Sequence, residues 1–96
     1  MPISDEFRNM CRNEFGKIIE QVSSDTFDFK KVWDCKSESD FLYGWHSGRT
    51  EWYLIEAFKD TFGRNPDEEE YGQIRDIILS MSGQLRDALE KRNLSI

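Results

Sequence analysis

The sequence predicts an all-α fold, a small helical bundle, and three observations support that prediction. Apolar residues recur three and four positions apart along most of the chain, which is the spacing of one face of an α-helix. Residues that start and stop helices separate these stretches, and the apolar–polar alternation typical of β-strands is almost absent. Ninety-six residues can build one hydrophobic core, so we predict a single helical domain over residues 1–96.

The first predicted helix covers about residues 5–22. Ser4 can cap its first turn, and Asp5 and Glu6 suit the positive end of the helix dipole. The apolar residues that follow at spacings of three and four are Phe7, Cys11, Phe15, Ile18 and Val22. We therefore expect an amphipathic helix that buries this face.

The stretch of about residues 26–36 is open between two structures. Its large apolar residues fit a short helix, whereas the sequence Phe27-Asp28-Phe29 fits an extended segment. After it, Ser37-Glu38-Ser39-Asp40 indicates the start of a helix. Helical spacing then continues to Phe62, which predicts a long helix over about residues 38–62.

This long helix is apolar on more than one side. Its main apolar face holds Phe41, Gly44, Trp45, Gly48, Trp52, Ile55, Phe58 and Phe62. Such a helix is usually covered by several neighbours, so we expect it to be the most buried element. Gly44 and Gly48 lie one turn apart beside Trp45 and Trp52, and each glycine costs about 1 kcal/mol of helix propensity relative to alanine. These four residues predict a packing notch, where a neighbouring helix or a bulky ring contacts bare backbone.

The residues between Phe62 and Tyr71 predict a tight turn and a new helix. Gly63 suits the left-handed position that ends a helix, while Asn65 can cap the next helix and Pro66 fits its first position. The last helix is predicted over about residues 66–93. Its apolar face holds Tyr71, Ile74, Ile77, Ile78, Met81, Leu85, Ala88 and Leu89. A short connection between two long helices predicts an antiparallel hairpin, with the first helix packed across it.

Composition disfavours several classes of protein. A net charge of −6 argues against binding of nucleic acid, because phosphate contacts require a basic surface. No apolar run approaches the roughly 18 residues of a membrane span, and the first residues do not resemble a secretory signal. Cys11 and Cys35 are the only cysteines, too few for a disulfide framework, so we expect a cytoplasmic protein with reduced thiols.

The sequence does not predict a metal or a cofactor. Cys11, Cys35 and His46 could supply three zinc ligands and a carboxylate the fourth. However, no two of these residues have the spacing that lets one helix supply a pair of ligands. Cys11 also lies on an apolar face, where a free cysteine behaves as a small hydrophobic residue.

A second row of residues on the long helix is the candidate ligand site. His46, Arg49, Tyr53 and Glu56 recur at spacings of three and four, so their side chains share one side of the helix. A histidine, an arginine and a carboxylate could act as base, anion clamp and orienting group. The same residues could equally be polar groups that find partners at the margin of a core. No nucleophile–base pair or phosphate-binding loop accompanies them, so we predict no catalytic residue.

Two functions follow from these observations. The leading prediction is a protein-interaction module without catalytic activity that forms a homodimer, with another protein as a further candidate partner. The surplus of apolar surface on the long helix is its main support, since an isologous dimer would bury it. The alternative is a small ligand-binding or catalytic bundle whose site is the row His46, Arg49, Tyr53 and Glu56.

Overall fold

The computed structural model describes residues 2–25 and 36–95, and these residues form four helices. Helix α1 covers Asp5–Val22, α2 covers Glu38–Phe62, α3 covers Glu68–Ser80 and α4 covers Ser82–Ser95. The described residues contain no strand, so the prediction of an all-α bundle is confirmed. Residues 26–35 lie outside the described residues, so the choice between a short helix and an extended segment stays open. No described helix is both long and apolar enough to cross a membrane.

The predicted starts of α1 and α2 are confirmed by their capping contacts. Ser4 Oγ accepts a hydrogen bond from the Phe7 amide at 3.1 Å, and Ser37 Oγ accepts one from the Asp40 amide at 3.3 Å. Each contact satisfies an amide that has no partner within its helix. Gly63 ends α2 in the left-handed conformation with φ of 68°, as the sequence predicted.

Helix α3 starts two residues later than the predicted position. Its cap is Asp67 rather than Asn65, because Asp67 and Glu70 form a reciprocal capping box. The Glu70 amide donates to Asp67 Oδ1 at 2.8 Å, and the Asp67 amide donates to Glu70 Oε1 at 2.9 Å. Arg64 holds the Glu70 carboxylate from the other side through contacts of 2.7 and 2.9 Å. The Glu70 carboxylate therefore stabilises both the turn at Arg64 and the N-terminal cap of α3.

The prediction of one helix over residues 66–93 is wrong at Met81, which separates α3 from α4. Met81 has φ of −103° and ψ of 6°, and its amide donates to the Ile78 carbonyl at 3.1 Å, which tightens the last turn. Ser80 Oγ also donates to the Ile77 carbonyl at 2.7 Å. Serine and glycine around Met81 have low helix propensity, which favours a break here.

The chain packs as an antiparallel arrangement around one core. Glu38 of α2 pairs with Arg92 of α4, and Glu51 of α2 pairs with Arg75 of α3, so α2 runs antiparallel to α3 and α4. Helix α1 is also antiparallel to α2, since Phe7 near its start contacts Phe58 near the end of α2, with ring centroids 5.4 Å apart. The predicted hairpin is present, and α1 packs across it.

The predicted buried face of α2 is largely wrong. The buried residues of α2 are Leu42, Thr50, Leu54 and Phe58, and only Phe58 belongs to the predicted face. Trp52 is 65% exposed and Phe62 is 43% exposed. Helix α2 buries four of its 25 residues, whereas α1 buries five of 18, so α2 is not the most buried element. The neighbouring helices cover Leu54 fully, whereas they leave Trp52 exposed.

Candidate functional site

Three of the four predicted ligand-site residues line one cavity. The cavity has a volume of about 710 Å³ and lies between the C-terminal half of α1 and the middle of α2. His46, Arg49 and Tyr53 are part of its wall. The other residues that line it are Ile18, Gln21, Val22, Asp25, Gly48, Thr50 and Trp52. Sequence reasoning missed the contribution of α1, because no local signal shows which helix packs beside which.

Glu56 does not line this cavity. Its carboxylate accepts a hydrogen bond from Lys59 Nζ at 3.1 Å, one turn further along α2. Both side chains are about two-fifths exposed, and an exposed pair at this spacing contributes about 0.3–0.5 kcal/mol. The structure therefore separates Glu56 from the other three residues of the predicted row.

His46 is half-buried, and its Nε2 atom is buried without a hydrogen-bond partner among the described residues. Burial lowers the pKa of His46 below its ordinary value of 6.5; Asp25 opposes this shift, while Arg49 and Arg92 add to it. The ring is therefore mostly neutral at pH 7, with one nitrogen as a donor and the other as an acceptor. A buried polar atom without a partner is uncommon in folded proteins.

Arg49 lies on the exposed surface beside the cavity. Its guanidinium lies 5.2 Å from the centre of the Trp45 ring, a cation–π contact. Within residues 36–95 it has no carboxylate partner, unlike the other arginines of this range. The pairs formed by those arginines are Arg64–Glu70, Arg75–Glu51, Arg86–Asp40 and Arg92–Glu38. The permanent charge of Arg49 is thus not neutralised within the described part of the chain.

Of the four residues of the predicted notch, Gly44, Gly48 and Trp52 form an open face of α2, while Trp45 packs against the core. Gly44 and Gly48 are exposed, and a Cβ atom added to either would meet no described atom within 4 Å. Trp45 is half-buried and stacks on Phe41, with ring centroids 6.2 Å apart. Trp52 stands out from the helix at 65% exposure. No described side chain fills the notch, and its filling by a partner stays a prediction.

A smaller hollow of about 240 Å³ lies on the other side of Gly48, between α2 and α3. Leu79 of α3 stands at its edge and is 62% exposed. The Ser47 side chain also lines the hollow, and its Oγ atom is buried with no hydrogen-bond partner in the described part of the chain. Gly48 lines both this hollow and the larger cavity, so the open face of α2 lies between two depressions of the surface.

The described residues contain no group of three or more His, Cys, Asp or Glu side chains that could hold a metal ion. Cys11 is buried in the core, and burial raises the pKa of its thiol to about 11, which keeps it protonated at neutral pH. Cys35 lies outside the described residues. The chain matches no family model, no curated protein and no solved structure among those compared, so its function has to be inferred from the cavity and the open face themselves.

Proposed function

We propose that the chain is a protein-interaction module that associates with a second copy of itself through the open face of α2. The observation that carries this proposal is the position of Trp52, which is 65% exposed on the same helix face as two uncovered glycines. Tryptophan is enriched among the residues that dominate the energy of interfaces. Exposed apolar surface of this kind marks interaction sites in soluble domains.

The spacing of the glycines supports a two-fold symmetric contact. Gly44 and Trp52 each lie four residues from Gly48. If two α2 helices cross antiparallel with the axis at Gly48, Trp52 of each copy faces Gly44 of the other. An isologous interface requires this reciprocity. The missing Cβ atoms let the two backbones approach closely at the axis, and the indole ring of each copy occupies the notch of the other.

Leu79 extends the surface that such a dimer would bury. It lies on α3 at the edge of the hollow that adjoins Gly48. Its exposed side chain and the exposed Trp52 side chain flank Gly48 from the two sides. The interface proposed here therefore joins residues from two helices rather than one stripe of α2.

The mass in solution tests this proposal by light scattering coupled to size exclusion. We expect the wild type to have twice the 11.4 kDa of one chain and Gly48→Leu to have the mass of a single chain. A Cβ atom at position 48 would meet no described atom within 4 Å, and the substitution removes a glycine that costs about 1 kcal/mol in a helix interior. The variant should therefore stay folded while it loses its partner.

Gly16→Leu is the matched control, because Gly16 lies in α1 and its Cβ position is equally open. We expect this control to keep the mass of the wild type. A wild type that is monomeric at all concentrations contradicts the proposal, and so does Gly48→Leu with an unchanged mass. Binding of another protein and a cytoplasmic location stay predictions.

A second candidate function is binding of a small molecule, and the cavity beside His46, Arg49 and Tyr53 favours it. Small-molecule sites are concave, mostly apolar and carry a few convergent polar groups. This cavity has apolar walls from two helices and is also lined by His46, Arg49 and Tyr53. Binding of a probe that fluoresces in apolar sites tests this candidate directly, as described below.

A further inference from the structure

We propose that the cavity between α1 and α2 binds a small organic anion with an apolar body, of the class of aromatic carboxylates and sulfonates. The proposal rests on the second candidate function above and names the ligand class of that site. The size of the cavity fits such a ligand, because its volume of about 710 Å³ lies within the range of roughly 300–1,000 Å³ typical of small-molecule pockets.

The apolar body of the ligand would lie against the walls supplied by two helices. Ile18 and Val22 line the cavity from α1, and Trp52 lines it from α2. Indole rings and branched aliphatic side chains favour flat or aromatic groups, since both faces of such a group leave water together.

Arg49 determines the sign of the ligand charge. It has no carboxylate partner in residues 36–95, although each of the four other arginines there has one. A guanidinium is always charged near neutral pH and matches the two oxygens of a carboxylate or sulfonate. Asp25 also lines the cavity, so we place the anionic group at the Arg49 side and the apolar body toward α1. A cationic group placed at the Arg49 side would be repelled by the guanidinium.

His46 supplies the second polar contact. It lies one turn before Arg49 on α2, and side chains at this spacing have Cβ atoms about 5–6 Å apart. Its Nε2 atom has no partner among the described residues but is buried, so it donates a hydrogen bond to the anion only if the ring turns toward the cavity and carries its proton there. One anionic group can therefore contact both side chains.

Two fluorescent probes that differ in one group provide the test. The first is 1-anilinonaphthalene-8-sulfonate, and the second is N-phenyl-1-naphthylamine, which has the same rings without the sulfonate. We expect both to bind the wild-type protein with a fluorescence increase. The sulfonate probe should bind at least about tenfold more tightly, as one charge-assisted contact provides.

Arg49→Gln should lower the affinity for the sulfonate probe about tenfold. It should change the affinity for the neutral probe by less than about twofold. Arg75→Gln is the matched control for net charge, since it removes the same charge from a residue that does not line the cavity. At about 0.15 M salt, where distant charges are largely screened, it should leave both affinities within about twofold.

Each alternative outcome overturns a defined part of the proposal. If neither probe binds, the second candidate function and the anion site both fail. If both probes bind equally and Arg49→Gln changes neither, the cavity binds small molecules but the anion assignment is wrong. If Arg75→Gln lowers the affinity for the sulfonate probe as much as Arg49→Gln does, the preference for the sulfonate probe reflects the overall charge of the protein. The anion assignment is then again wrong.

Discussion

His46 is the only histidine in the chain, and its surroundings hold its ring neutral. Burial lowers the pKa of His46, and the positive charges of Arg49 and Arg92 add to that effect, while Asp25 opposes it. The unfolded chain exposes the same ring to water, where its ordinary pKa of 6.5 applies. Between the two pKa values the unfolded state binds more protons, so the free energy of unfolding decreases as the pH falls.

We therefore predict that acid destabilises the wild type more than a variant without this histidine. The contribution of His46 is fully present above pH 6.5 and is lost as the pH falls through the lower pKa of the folded state. Urea unfolding at pH 7.5 and pH 5.5 measures it, and His46→Gln should lose less stability between the two. Glu70 does not interfere, because contact with Arg64 keeps the pKa of Glu70 below its ordinary 4.5. Equal losses in both proteins would contradict the prediction.

Gly63 and Gly83 show how one substitution can have opposite effects at two positions. Apart from chain neighbours and the backbone of the same helix, no described atom lies within 4 Å of either Cβ position, so we expect backbone conformation to decide the result. Gly63→Ala should destabilise the folded protein by about 1–2 kcal/mol. The reason is that φ is 68° at this position, and a residue with a Cβ atom is strained in the left-handed region. Gly83→Ala, in the first turn of α4, should stabilise the fold by about 0.4–1 kcal/mol, because alanine restricts the unfolded chain. Thermal unfolding of both variants checks the signs, and equal signs would refute this account.

At the scale of elements, two arginine–carboxylate pairs join the first turn of α2 to α4. Arg92 is buried and contacts Glu38 at 2.6 Å. Arg86 contacts Asp40 at 2.9 Å, but its side chain is 47% exposed and that of Asp40 is 73% exposed. Both acids lie at the positive end of the same helix dipole, so the dipole contributes similarly to each. Burial is therefore the main difference between the pairs.

We predict that Glu38→Gln costs about 2–4 kcal/mol, because it removes a charge that contacts a buried guanidinium. Asp40→Asn should cost less than about 1 kcal/mol, as expected for an exposed pair. Chemical unfolding of the two variants under the same conditions compares them. Similar losses would mean that the buried guanidinium is compensated by its other contacts, among them Asn93 Oδ1 at 3.3 Å.

Sequence patterns predicted these elements well where the signal is local. The capped start of α1, the left-handed Gly63 and the apolar face of the last helices each follow from residues within a few positions. The break at Met81 is not visible in the pattern, because the apolar positions continue in register on both sides of it. The buried face of α2 was predicted wrongly because the prediction followed the large aromatic residues of the helix. Packing against the other helices instead buries Leu54 and Thr50.

At the scale of the whole molecule, the candidate site could be predicted only in part. His46, Arg49 and Tyr53 share one side of α2, and helical spacing alone brings them together. The rest of the cavity depends on where α1 packs, since Ile18 and Val22 reach it only through the antiparallel arrangement of α1 and α2. Glu56 has the right spacing but lies nearer the end of α2, beyond the part that α1 and α2 enclose as a cavity.

The net charge of −6 per chain also acts at this scale. Two copies that associate bring like charges together, and salt screens this repulsion. The proposed dimer should therefore be favoured by moderate salt, whereas binding of an organic anion at Arg49 should be weakened by it. The two processes respond to ionic strength in opposite directions.

Gly48 lines the larger cavity, the smaller hollow and the open face of α2, and Trp52 belongs to both the cavity and the open face. Association through this face and occupation of the cavity would thus involve the same two residues. Each process can therefore change the free energy of the other. By thermodynamic linkage, any anion that changes the association constant has its own affinity changed by the same factor when the chains pair. One helical turn of α2 would then act as the coupling element between a ligand and the oligomeric state.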